Sequence, residues 1–221
     1  MTSRPGPALP ERQAVYWTTG ACAGVASLLS VSASHRLLPQ TFPATPIHFP
    51  ALRHAFAAAG TRFLAFDLCR DTLKDVTREY PTLRGAVSGC VGGLAETLQG
   101  ALVATLLSKS VAPLRPTTLA PALVSHGGTL FLCFGGYTFL STHFSQAQPP
   151  AAPLCYLLGG LAGAAGVPLV HLIKTRSFAG CAKIAATGFV RVGVVIGTQV
   201  ISSAKILALI EGQRTQPYEG S

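Results

Sequence analysis

Three apolar windows of this chain place glycines four residues apart: GACAG (Gly20, Gly24), GCVGG (Gly89, Gly93) and GGLAG (Gly159, Gly163). Successive copies are offset by about 70 residues. A second marker has nearly the same period, with GTRFLAFD starting at Gly60, GTLFLCFG at Gly128 and GTQVISSA at Gly197. One GxxxG says little. Two markers sharing one period over three copies predict three repeated units, each of two helices. Glycines at that spacing let two helices approach closely where lipid supplies no hydrophobic drive for association.

The windows around these markers carry few charges. Only 11% of the 221 residues are charged and 49% are hydrophobic, whereas a soluble domain carries about 25% charged residues. A bilayer core needs about 20 apolar residues per helix. The pattern predicts spans at roughly 14–38, 52–78, 83–108, 118–143, 152–175 and 182–210. The fold class expected is therefore an all-α membrane protein of six transmembrane helices in three pseudo-threefold repeats. Residues 1–13 form an N-terminal tail, 14–79, 80–146 and 150–212 the repeats, and 213–221 a C-terminal tail. Spans two and six contain Arg62, Asp67, Arg191 and Lys205, so each should turn a polar face inward. Tyr16, Trp17 and Tyr80 stand where an interfacial aromatic belt is expected.

The net charge of +9 would raise nucleic acid as a partner in a soluble protein. Here the bases sit mostly at the ends of apolar runs, facing lipid headgroups, and no nucleic-acid partner is expected. The segments inside the three pairs carry Arg36, Arg53, Lys109, Arg115, Lys174, Arg176 and Lys183 without an acid. The other side has a similar number of bases mixed with acids, so by Lys and Arg alone the two sides nearly tie, and the purely basic segments are taken as the inside. The six cysteines show no CxxC, and the histidines show neither HxxxH nor HExxH, so no metal site is expected. There is no phosphate-binding loop and no nucleophile–base constellation, so no enzyme is expected. The N-terminus MTSRPGPALPERQ lacks the apolar region of a secretory signal.

Particular residues give the repeats a resemblance. FDLCR, Phe66–Arg70, is similar to the even-helix motif of the mitochondrial carrier family, and TRFLAFD followed by TLRGAVSGCVGGLAET resembles the junction of repeats one and two in its citrate (tricarboxylate) subgroup. PLVHLIKTR, Pro168–Arg176, is similar to the family's odd-helix ending, Pro-Leu-Asp-Val-Ile-Lys-Thr-Arg. The resemblance implies a multi-pass protein of the mitochondrial inner membrane with a carrier-like bundle.

The departures from that family bear on function. Its odd helices end in a proline, an acid and a base that close a ring of salt bridges. Here span one ends with Ala33, His35 and Leu38 at those positions, span three has neither proline nor acid, and span five keeps Pro168, Lys174 and Arg176 but has Val170 and His171 instead of the acid. A neutral histidine cannot replace a carboxylate against Lys174. His171, Lys174 and Arg176 are thus read as a vestigial carrier signature, its bases free for lipid phosphates such as those of cardiolipin or for a neighbouring subunit. On the other face only Asp67 and Arg70 remain, as an i, i+3 pair. The repeats are also short, about 70 residues against about 100 in the family. The segment between spans one and two, PQTFPATPIHFP, has prolines at 39, 43, 46 and 50, a spacing that cannot hold a helix. Shortened matrix segments are therefore expected.

Arg62 matches a substrate-contacting arginine of the citrate subgroup, with Leu130 and Gln199 at the same turn of the other copies and Arg191 nearby. Arg62, Glu96 and Arg191 are accordingly read as a vestigial charge site. The alternative for Arg62 is an ion pair within the bundle, to Glu96 or Asp67. Glu96 is either a proton-coupling acid or a structural hydrogen-bonding residue. The function expected is a non-transporting, carrier-like accessory subunit of an inner-membrane complex, of the respiratory chain or ATP synthase. Its partners would be other subunits and membrane lipids, and no cofactor is required apart from a bound phospholipid. The alternative is an atypical organic-anion transporter.

Overall fold

A computed structural model describes residues 9–42, 47–147 and 150–215. The chain forms six long α-helices: α1 (Leu9–Leu37), α2 (Phe49–Thr72), α3 (Pro81–Ser108), α4 (Pro116–Phe144), α5 (Ala152–Thr175) and α6 (Cys181–Thr215), with one 3-10 turn at Ala112–Leu114. Prolines open α2, α3, α4 and α5 in the first turn, where the missing N–H is no loss and the fixed φ suits the helix. His48 caps α2, its Nδ1 accepting from the Ala51 N–H at 3.1 Å. Lys109 and Arg176 close α3 and α5 in the left-handed conformation, normally a glycine's position. Gly180, at φ +76°, makes the turn into α6.

Five of the helices, α1 and α3–α6, are long and apolar enough to cross a membrane. The chain is thus a multi-pass membrane protein by the length and composition of its helices. The sixth expected span, α2, is long enough but falls short in composition, since it carries Arg53, Arg62, Asp67, Arg70 and Asp71. Other boundaries shift as well. α1 begins at Leu9 rather than 14, taking in part of the expected tail, and α6 runs to Thr215 rather than 210. α2 stops at Thr72, and turns replace the expected helix up to 78. Pro43, Pro46, residues 1–8 and residues 216–221 of the expected tails lie outside the described residues.

Each helix packs against its chain neighbours and α1 packs against α6, so the six close a ring. The closest packing is within the pairs α1–α2, α3–α4 and α5–α6. All six GxxxG glycines face the partner in their own pair. Gly20 and Gly24 meet Phe63, Ala59 and Ala55, while Gly89 and Gly93 meet Leu130, Phe134 and Gly127. Gly159 and Gly163 meet Ile196, Val192 and Gly188. The contacts run in opposite directions along the two helices of each pair, so the pairs are antiparallel.

The second marker does not keep this register. Gly60 lies against Trp17 and Gly197 against Tyr156, but Gly128 has nothing within 4 Å and its neighbour Gly127 makes the contact to Leu94. Gly60 precedes Phe63, which faces Gly20; Gly128 precedes Phe134, which faces Gly89, by twice as many residues; Gly197 follows Ile196, which faces Gly159. The even helices therefore slide by about one turn from the first pair to the second and by about two turns, the other way, from the second to the third.

The core is built of small residues, with Ala21, Ala23, Ala58, Ala59, Ala86 and Ala162 buried, while Leu102, Leu106, Leu107 and Val124 point outward. That distribution suits lipid, where close backbone contact rather than burial of large side chains holds helices together. Many hydroxyls inside the helices are satisfied locally, although Thr19 Oγ1 and Ser88 Oγ are buried without a partner. Thr97, Thr129, Thr138 and Ser203 each donate to the carbonyl four residues back, which removes the cost of an unpaired donor in hydrocarbon.

Between the members of each pair, the described residues hold no helix beyond the single 3-10 turn. The first of these segments folds back on the bundle. Phe42 is only 1% exposed, and its carbonyl accepts from His35 Nδ1 at 2.7 Å.

Candidate functional site

The charged residues inside the ring converge on Glu96. The α2–α3 contact is close because Gly92 sits against the Arg62 backbone and Phe66. One turn further along α3, Glu96 Oε2 lies 3.2 Å from Arg62 Nη1 and 3.1 Å from His126 Nε2 on α4. The Arg62 and Glu96 side chains are 12% and 22% exposed. One carboxylate oxygen thus ties three helices. Of the two partners expected for Arg62, the structure selects Glu96. Asp67 instead pairs with Arg70 at 2.8 Å within α2, a link that joins no two helices. Asp71 accepts from the Tyr16 hydroxyl at 2.6 Å and so joins α2 to α1.

Two cavities flank Arg62. One, of about 240 Å³, lies between α1, α2, α3 and α6 and is lined by Ser27, His54, Arg62, Glu96 and Gln199. The other, of about 120 Å³, is lined by Arg62, Leu130, Arg191 and Gln199 among others. The turn-equivalent residues Arg62, Leu130 and Gln199 do meet there, together with Arg191. Both volumes fall below the roughly 300–1,000 Å³ of ordinary small-molecule sites. Arg191 is also engaged, its Nε donating to the Thr41 carbonyl of the folded-back segment. Arg191 thus shares a cavity with Arg62 while its Nε holds a backbone carbonyl rather than the Glu96 carboxylate.

The vestigial signature lies at the far end of α5. Arg176 is its left-handed cap and is exposed. Lys174 is not free, since its Nζ donates to Ser125 Oγ on α4 at 2.9 Å. Being exposed, the contact is worth little, and Lys174→Ala is expected to change stability by no more than about 0.5 kcal/mol. A thermal melt of the purified variant checks this. His171 sits part-buried one turn before the helix end.

His126 and Ser125 were not singled out as site residues by sequence reasoning. A histidine with no metal spacing gives no signal, and its match to Glu96 exists only across the α3–α4 contact. The stretch SHGGT, Ser125–Thr129, is where three of the features meet: the Lys174 contact, the Glu96 contact and the close approach at Gly127. Compared with family models, with curated proteins and with solved structures, the chain matches none of them.

Proposed function

We propose that this chain is a non-transporting, mitochondrial-carrier-like protein of the inner membrane, serving as a structural accessory subunit of a larger complex of the respiratory chain or ATP synthase. In this reading α2 is the sixth span, held in the ring by its neighbours with Arg62 turned inward, and the three helix pairs are degenerate carrier repeats. The observation that carries the proposal is that the bases facing the bundle are already engaged within the chain. Arg62 is spent on Glu96, and Arg191 on the Thr41 carbonyl. Alternating access needs two competing networks whose balance a substrate shifts. The one acid–base pair at the even-helix motif, Asp67–Arg70, lies within a single helix and cannot act as a gate between helices. The antiparallel GxxxG pairs and the closed ring support the carrier-like part of the reading, and the resemblance supplies the compartment.

The second reading, an atypical organic-anion transporter, is favoured by one observation: Arg62, Arg191 and Gln199 line a common cavity. A native gel of gently solubilised mitochondrial membranes separates the two. Stoichiometric co-migration with a respiratory complex or ATP synthase is the expected result. A free monomer that exchanges citrate or malate in liposomes would sink the structural reading.

A further inference from the structure

A groove of about 800 Å³ lies on the outside of the ring between α3, α4 and α5. Its floor is made of small residues, among them Ala86, Gly135, Gly136, Ala162 and Gly166, and its walls include Phe131, Leu132 and Leu169. At one end stand Glu79, Tyr80, Thr142 and His143, at the start of α3 and the end of α4.

We propose that this groove binds a phospholipid whose headgroup carries an ammonium, with acyl chains lying along α4. Three observations on the groove support this. The first is depth. From His143 to Leu132 the groove follows α4 for about 17 Å at 1.5 Å per residue, close to one leaflet of a hydrocarbon core of about 30 Å. The second is polarity. The polar end carries Tyr80, the residue before α3, on the same side of the bundle as Tyr16 near the start of the parallel α1, where an interfacial aromatic belt is expected. The third is charge. Glu79 is the one charged side chain of the lining apart from a protonatable His143, and no Lys or Arg lines the groove. An ammonium finds a carboxylate there beside Tyr80, while a purely anionic headgroup meets Glu79 with no Lys or Arg in the lining.

Capacity agrees with this. At roughly 30 Å³ per water-sized group, the groove holds about two dozen methylenes, the bulk of two acyl chains. A spanning helix of a partner would lie along the full length of α4, whereas the groove stops about halfway. The proposal rests on the chain crossing a membrane, not on the accessory-subunit role. It concerns the membrane face opposite Lys174 and Arg176, and a headgroup different from the anionic one those bases suit.

The test uses the full-length chain in nanodiscs containing equal phosphatidylethanolamine, phosphatidylglycerol and cardiolipin, released into mild detergent for native mass spectrometry. The wild type is expected to retain phosphatidylethanolamine at least fivefold over phosphatidylglycerol. Ala165→Phe, at an exposed position in the groove, should cut that retention at least fivefold, while Leu102→Phe, exposed and outside it, leaves it unchanged. Glu79→Lys, a surface change that does not depend on filling the groove, should shift the preference toward phosphatidylglycerol. Preferential retention of an anionic lipid by the wild type would overturn the proposal. So would undiminished phosphatidylethanolamine in folded Ala165→Phe, or a photocrosslinker at position 165 that captures a polypeptide instead of lipid.

Discussion

Gly163→Leu is expected to lower the amount of folded chain in membranes several-fold, while Gly128→Leu leaves its abundance close to wild type. A Cβ at Gly163 would stand 2.4 Å from Val192 Cβ and 2.5 Å from the Gly188 carbonyl oxygen. The second neighbour is backbone and cannot rotate away, so α5 and α6 must separate. Overpacking a core costs about 1–3 kcal/mol where side chains can adjust, and a fixed carbonyl puts this site at or above the top of that range. Stability is marginal, at about 5–15 kcal/mol for ordinary proteins, and this pair has the closest packing in the ring. At Gly128 an added side chain meets nothing within 4 Å. Immunoblots of membranes after limited proteolysis read the difference. Equal protease resistance of the two variants would refute the packing described for α5–α6.

Glu96→Ala is expected to destabilise the bundle by about 3–5 kcal/mol, because it leaves Arg62 charged, largely buried and without its partner. At about 2–4 °C per kcal/mol for a chain of this size, the melting temperature should fall by roughly 10 °C. The double variant Arg62→Leu/Glu96→Leu removes both charges and should recover to within about 1 kcal/mol of wild type, since an apolar pair often replaces a buried ion pair without loss. A structural ion pair predicts this recovery. If Arg62 instead served an anionic substrate, the double variant would be as defective in function as either single one, and Glu96→Ala would alter transport without lowering the melting temperature. Differential scanning fluorimetry in detergent of the wild type, Arg62→Leu, Glu96→Leu and the double variant closes the cycle, with Glu96→Ala measured beside them.

Much of the architecture was legible before any coordinates. The apolar windows place all six helices, and their boundaries err by a few residues at most ends; α2, α3 and α4 start a little before the expected spans because Pro50, Pro81 and Pro116 are taken into the first turn. The GxxxG pairs correctly indicate which faces of α1, α3 and α5 meet another helix. The second glycine marker was misleading at Gly128. The linkers 38–48, 109–115 and 176–180 become progressively shorter, and the even helices differ in length, so equal spacing in sequence does not become equal depth in the ring. Arg62 and Glu96 were both visible as costly charges, but the choice of Glu96 over Asp67 was not. Asp67 is closer in sequence and Glu96 is closer in space, because Gly92 lets α3 approach α2 at that level. His126 was invisible as a partner for the same reason.

The amino-acid sequence by itself determined that this chain is helical, that most of its helices suit lipid, and that glycines hold the pairs together. These properties depend on composition and local spacing, which operate within a helix turn or along one face. The tertiary structure alone decided where each charge ends. Arg62 and His126 meet one oxygen of Glu96, Arg191 meets a backbone carbonyl, Lys174 meets Ser125, and a groove one leaflet deep opens between α3, α4 and α5. Each of these joins residues that are distant in the chain, and hydrogen bonding and ion pairing act only over a few ångströms, so only the closing of the ring could bring them into range.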